Sequence, residues 1–308
     1  MTPSPIVTRG PRVPEQPRVS VVIPTYEPVY LDVALESVRA QDFADYEIIV
    51  VDDGSPHPVV PAVSDDVVLV RQTNGGPGAA RNCGIRAARA ELVALLDHDD
   101  LWLPGKLTAQ YAWHEAHPET LLSCVDIGVL GEPDTPTYLH RYHRESRFVP
   151  MEDLLRENVL GTSGVMLRRD AALEVGGFDP HQRYTDDYRM WLELGHRGRL
   201  AFIDQVLALY RVDQASLTGQ GRAAGEWQTA ELQVYEKFLA AHPEYRRHPA
   251  ARDGLARAWF DKGYAMLQLR DYAQARAAFC RSLAQRPWRR RAWLNLGRAL
   301  LRVPAGGN

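Results

Sequence analysis

Between Val19 and Leu96 the chain alternates short unbroken apolar runs with longer stretches in which apolar residues return every three or four positions. VSVVIPTY, YEIIVVDDGS, VVLVR and ELVALLD are runs of the first kind and predict strands. The spacing of Leu31, Ala34, Leu35 and Val38 predicts a helix, and GAARNCGIRAAR a second. Continuous rather than alternating runs belong to strands covered on both faces. Their alternation with helices predicts an α/β domain on a mostly parallel central sheet. Ligands of such sheets bind beyond the carboxyl ends of the strands. PTYE, DDGS and DHDD all fall at those ends, so three separate polar segments are expected to converge on one crevice.

Past Trp102 the pattern is less regular. PGKLTAQYAWHEAHP, MEDLLREN, DAALEVGGF and DDYRMWLELGHRG read as helices, the last two stopped by glycines. LLSCVDIGVL, GTSGVMLRR, LAFID and VLALYRV supply strands. Residues 221–308 carry no strand signal and read as a small all-α segment. Within it Trp259 and Gly263 return as Trp293 and Gly297, 34 residues later, around a turn at Arg270-Asp271. That spacing resembles a tetratricopeptide repeat. One repeat cannot bury its own face, so it is expected to dock on the preceding domain or on a second copy as a homodimer. A plain helical cap is the alternative. The expected organisation is a flexible Pro-rich arm over residues 1–17, which hold five prolines, a catalytic domain over 18–220 and helices over 221–308.

Composition narrows the class. With 308 residues, 45% hydrophobic and 24% charged, the chain is neither disordered nor fibrous and has room for about two domains. Three scattered cysteines exclude a disulfide framework and a structural zinc site, and fit a reducing cytoplasm. No apolar run is long enough to span a bilayer, and residues 1–18 lack the apolar core of a signal peptide. The net charge of −3 conceals an asymmetry: 14 basic residues against three acids lie between Arg246 and Arg302. Arg286-Pro287-Trp288-Arg289-Arg290-Arg291-Ala292-Trp293 combines aromatic with basic groups, as surfaces that meet anionic lipid do. This suggests peripheral contact with the inner face of a membrane, a solvated helix face being the bland alternative. No recognised nucleic-acid module accompanies the charge, and no nucleic-acid partner is expected.

Taken singly, DDGS is a polar turn and TDD a helix cap. In order and together, PTY, DDGS, NGGPGAARN, DHDD, GGFD and TDDYRMWL resemble the family 2 glycosyltransferases over about residues 18–218. The resemblance implies the glycosyltransferase-A fold and inverting transfer of a sugar from a UDP- or dTDP-linked donor to a glycan, lipid-linked or peptide acceptor. Bacterial surface polysaccharide synthesis is the expected setting. A peptide glycosyltransferase that uses its helical tail on the acceptor, and a non-catalytic nucleotide-binding scaffold, are the alternatives.

By the same resemblance Pro24, Thr25 and Tyr26 frame the base, Asp52 accepts its ring N–H, and Asp53 orients the turn or the ribose. Glu27 stands where the family often has Asn. Arg81 reaches the base or phosphates, with Gly75, Gly76 and Gly78 allowing close backbone approach. If the chain stays extended past Leu96, Asp97 and Asp99 share one face and His98 and Asp100 the other. This gives a DxD pair; the resemblance implies that Asp99 is the ligand of Mn²⁺ or Mg²⁺ and that Asp97 meets the ribose, while Asp100 is expected to cap the turn before the helix at Pro104. Asp187 is the expected base for the acceptor hydroxyl. Asp186, Thr162, Ser163 and Trp191 are expected near the acceptor. Asp213 stands where many relatives have a histidine, as a second metal ligand or a mere turn. A dinucleotide-binding dehydrogenase is a poor fit, because its glycines belong in the first strand-helix turn, where PTYEPVYL has none.

Overall fold

The computed structural model describes residues 5–57, 59, 65–136, 145–212 and 217–305. It divides into two compact units, one holding residues 1–150 and 159–212, the other residues 151–158 and 213–308.

Among the described residues the first unit holds eleven strands: β1 (Ile6–Arg9), β2 (Val19–Thr25), β3 (Tyr46–Asp52), β4 (Val67–Arg71), β5 (Leu92–Leu95), β6 (Leu101–Trp102), β7 (Thr120–Val129), β8 (Glu132–Pro136), β9 (Arg147–Val149), β10 (Val165–Arg168) and β11 (Arg199–Tyr210). One path through the sheet runs β1-β4-β3-β2-β5-β10-β7-β11-β6. Its centre, β4-β3-β2-β5, is parallel throughout, and antiparallel pairings lie on either side. LAFID and VLALYRV, expected as two strands, are one bulged strand, β11, parallel to β7. A bulge absorbs the polar Asp204-Gln205 pair without ending the ladder.

Helices α1 (Leu31–Arg39), α2 (Pro77–Ala87) and α3 (Lys106–Ala116) belong to the first half of this unit. Val19, Val21 and Ile23 pack with Leu31, Leu35, Val38 and Leu107 in one core cluster. On the opposite face Gly84 of α2 sits so close to Val22 that a Cβ would come within 2.3 Å of its methyl. Both faces of β2 are therefore covered, which is why its apolar run is continuous.

The N-terminal arm departs from the unstructured segment expected. Ile6–Arg9 pairs antiparallel with β4, and the Gly10 and Arg12 N–H groups donate to Val67 and Asp65. Prolines 5 and 11 flank a proline-free stretch long enough for an edge strand, the position where proline neighbours are tolerated.

The chain enters the second unit as α4 (Met151–Arg156), returns to the first through α5 (Arg169–Glu174) and α6 (Asp186–Arg197), and ends in the second as α7 (Leu217–Ala224), α8 (Glu226–Ala241), α9 (Pro249–Gln268), α10 (Tyr272–Gln285) and α11 (Arg290–Leu300). Arg257 on α9 binds Glu231 (2.5 Å), Asp261 (3.0 Å) and the Arg156 carbonyl (3.0 Å). These bonds tie α4, α8 and α9 together. Phe279 of α10 fills the space beside Gly263 of α9, where a Cβ would meet its ring at 2.8 Å. No helix among the described residues is long and apolar enough to cross a membrane.

Candidate active site

The loops beyond β2, β3 and β5 meet at the carboxyl edge of the parallel centre. Thr25 closes β2, is buried, and its Oγ1 has no partner among the described residues. Asp52 closes β3 opposite it. Its carboxylate already accepts from the Ser55 N–H (2.8 Å) and from Arg71 Nη1 (2.7 Å) at the end of β4. Arg71 is a residue that sequence reasoning passed over, although a cation closing a buried strand was a readable signal. Asp53 turns the other way and accepts from Gln72 (2.7 Å) and from the Gly75 and Gly76 N–H groups (2.9 and 2.8 Å). It fastens the glycine loop, and burial raises its pKa despite those donors. Tyr26 is exposed, and so is Glu27, whose φ of +55° is a left-handed conformation that Asn adopts more readily.

Arg81, projecting from α2, joins two of the motifs. Its Nη2 donates to Asp97 (2.7 Å) and its Nη1 to Asp186 (3.0 Å), with the guanidinium 5.3 Å over the Phe178 ring. Burial works against this charge, but Asp97 and Asp186 outweigh it and hold the Arg81 pKa above its usual value. Its Nε is buried without a partner among the described residues. Next to it Asn82 donates to the Phe178 carbonyl (2.8 Å) and accepts the Phe178 N–H (2.9 Å), a two-way clamp between GAARN and GGFD. Gly177 makes room for that clamp, because a Cβ there would lie 2.2 Å from Asn82 Oδ1. Its φ of +67° demands glycine as well.

The acidic stretch after β5 does not stay extended. The Asp100 N–H donates to the Asp97 carbonyl (3.1 Å), closing a turn at His98-Asp99. The expected pleat, with Asp97 and Asp99 on one face, is therefore replaced by a turn that points the three carboxylates at three sets of neighbours. Asp97 meets Arg81. Asp100 accepts from Ser163 Oγ (2.5 Å) and the Arg211 N–H (2.9 Å), and does not cap α3, whose N-cap is Gly105. Asp99 offers its backbone carbonyl to Arg211 Nε (3.0 Å), while its carboxylate has no ion pair among the described residues. Burial, then the Asp97 charge, raises the Asp99 pKa; burial, then Asp99, raises that of Asp100 well above the carboxylate range. Three crowded acids, one of them without an ion pair among the described residues, suit a hard divalent cation such as Mn²⁺ or Mg²⁺. Asp213 lies outside the described residues.

Thr185, the N-cap of α6, has φ +56°, unusual for a β-branched residue, and this kink delivers Asp186 and Asp187 at the positive end of the helix. Asp186 is buried, and burial pushes its pKa up to about 7 against the pull of Arg81. Asp187 is half-buried and accepts from Thr162 Oγ1 (3.3 Å). Ser163, expected near the acceptor, is 2% exposed and structural: its Oγ accepts the Asp97 N–H (3.1 Å), and its carbonyl accepts Trp102 Nε1 (2.7 Å). Trp191 was expected at the same face and is fully buried, edge-on to Phe178 at 5.8 Å. Its place on the inner face of α6 makes it core rather than acceptor surface.

A parallel sheet whose carboxyl edge gathers Thr25, Asp52, Arg81, the Asp97–Asp100 turn and the start of α6 has the glycosyltransferase-A fold. TarS of S. aureus, solved with UDP-GlcNAc, has this fold with a TM-score of 0.69 at 18% identity, over 92% of this chain and 88% of that one. The mannosyltransferase PcManGT of Pyrobaculum calidifontis, solved with GDP-Man and Mn²⁺, has it with a TM-score of 0.62 at 21% identity, over 96% and 84%. Residues 20–176 match Glycosyl transferase family 2, and the chain belongs to that family. The amylovoran biosynthesis glycosyltransferase AmsE of Erwinia amylovora is 27% identical over 241 residues, 72% of this chain and 85% of AmsE. The chain spans 66% of the length of the uncharacterized glycosyltransferases it matches in Rickettsia prowazekii and Rickettsia typhi, and 33% of those in Rickettsia felis and Rickettsia conorii.

Proposed function

We propose that this chain is an inverting glycosyltransferase that moves a sugar from a nucleotide diphosphate, UDP- or dTDP-linked, to an acceptor hydroxyl during bacterial polysaccharide synthesis. The observation that carries the reading is the Arg81 bridge. It joins Asp97 of the β5 turn to Asp186 of α6, and two buried polar atoms of the same carboxyl edge, Thr25 Oγ1 and Arg81 Nε, have no partner among the described residues. Buried polar atoms without partners mark places where a ligand completes the hydrogen bonding. The likeness to AmsE supports the polysaccharide setting, and the donors bound to TarS and PcManGT support a nucleotide-sugar.

In this reading Pro24, Thr25 and Tyr26 frame the base, Asp52 receives its ring N–H on a lone pair not used by Ser55 or Arg71, and Asp97 meets the ribose. Arg81 exchanges part of its pairing with Asp97 and Asp186 for the anionic donor, and Asp53 keeps the glycine loop open to it. Asp99 holds a divalent cation, which when bound offsets charge on the diphosphate. Asp187 takes the proton of the acceptor hydroxyl as its oxygen bonds to the anomeric carbon and the bond from that carbon to the diphosphate breaks. Thr162 orients the Asp187 carboxylate. Its seat in the first turn of α6 sets that carboxylate at the positive end of the helix dipole.

The test is the release of nucleoside diphosphate from a panel of sugar nucleotides with Mn²⁺ or Mg²⁺, for the wild type and Asp187→Asn. Asp187→Asn should lose at least a hundredfold in turnover while binding the nucleotide with nearly unchanged affinity. Wild-type turnover indistinguishable from background with every donor would leave a nucleotide-binding scaffold as the reading.

A further inference from the structure

The outer face of α11 carries a surface that donor chemistry does not use. Its inner face, Ala292, Leu296 and Ala299, is buried in the cluster with Phe279 and Leu283. Outward point Trp293 (56% exposed), Leu294 (58%), Leu300 and, just past the helix, Leu301 (78%), with Trp288 (71%) on the turn before it. Helical spacing sorts these residues. Arg290, Leu294, Gly297 and Leu301 form one stripe, Trp293 and Leu300 flank it on one side, and Arg291 and Arg298 on the other.

The internal repeat shows that this face lacks a cover. Gly263 of α9 is packed against the Phe279 ring, but at Gly297, its counterpart 34 residues later, a Cβ would meet nothing within 4 Å. The charge says what kind of cover suits it. Residues 272–308 contain eight arginines and no acid. Of these, Arg286 is committed to Asp253, while Arg290, Arg291 and Arg302 have no ion pair among the described residues. A second copy docking the same face would set these cations against their own images. An anionic bilayer answers both parts, taking tryptophan and leucine side chains into the headgroup boundary and phosphates onto the arginines.

We propose that α11 and the Trp288 turn seat this protein on anionic lipid, an in-plane docking surface independent of the sugar-transfer reading. Each arginine at such a surface contributes roughly fivefold in affinity, screened by salt. The experiment is flotation of the full chain with vesicles of phosphatidylcholine alone and of phosphatidylcholine with 30% phosphatidylglycerol, beside sedimentation velocity without lipid. Recovery should be confined to the anionic vesicles. It should fall at least tenfold for Trp293→Ser/Leu294→Ser and for Arg290→Glu/Arg291→Glu, whose side chains are exposed and whose circular-dichroism melts should match the wild type. Equal recovery on neutral vesicles, no recovery on either, or a lipid-free dimer abolished by the same substitutions would overturn the proposal. Donor turnover in solution by these variants should remain that of the wild type.

Discussion

Replacing Lys106 by methionine should change how stability depends on pH. Lys106 opens α3 and is fully buried; its Nζ donates to Gln110 Oε1 (2.6 Å) and lies 3.9 Å from the Trp102 ring centroid. No carboxylate pairs with it among the described residues, and burial lowers its pKa from 10.5 to about 7. The folded pKa lies below the unfolded one. Between about pH 7 and 10.5 the unfolded chain therefore holds the extra proton, and stability rises with pH. The slope is about 1.4 kcal/mol per pH unit, and the whole window is worth roughly 5 kcal/mol. Methionine keeps the volume and removes the titration, but leaves Gln110 Oε1 without its donor, a cost of about 1–3 kcal/mol. Lys106→Met should thus be more stable than the wild type by about 2–4 kcal/mol at pH 7, and the order should reverse near pH 10. Urea unfolding at pH 7, 8 and 9, followed by tryptophan fluorescence, measures the difference. A gap between the two proteins that stays constant across that range would refute a buried, unpaired, titrating lysine.

Five further outcomes rest on the crevice. Arg81→Met leaves the buried Asp186 and the half-buried Asp97 without their cation and should cost about 3–5 kcal/mol, visible as a lowered melting temperature. Adding Asp186→Asn should return part of that loss, because it also removes a carboxyl held near pH 7 whose ionisation in the folded state destabilises as pH rises from 4 to 7. Gly177→Ala meets Asn82 Oδ1 and a left-handed φ together, and should cost about 2–4 kcal/mol by chemical unfolding. Asp99→Ala should abolish Mn²⁺-dependent binding of a nucleoside diphosphate in calorimetry with little effect on melting. Asp100→Ala should instead lower the melting temperature, since it frees Ser163 Oγ and the Arg211 N–H from a buried acceptor.

The chain's local pattern carried the parallel centre of the sheet and the positions of its polar ends, because continuous apolar runs and strand-closing acids are properties of neighbouring residues. It carried the helical nature of residues 221–308 for the same reason. What it could not carry is partnership at long range. PTY, DDGS, GAARN, DHDD and TDD were all visible as clusters, yet only the folded chain brings Arg81 between Asp97 and Asp186, 16 and 105 residues away in sequence. The turn at His98-Asp99 was misread as extended chain because its hydrogen bonds to Ser163 and Arg211 come from segments 63 and 111 residues distant. Trp191 and Ser163, expected near the acceptor from their place in a motif, are both buried, since burial depends on what packs from the other side. The arm at Ile6–Arg9 became a strand only because β4 leaves an open edge for it. Sequence alone thus determined the strands of the parallel centre, the helices of the C-terminal segment and the strand-end acids, where the free energy is local. Tertiary structure decided which acid is paired, which is left for a cation and which is buried as scaffold, since desolvation and pairing depend on residues that meet only in the folded chain.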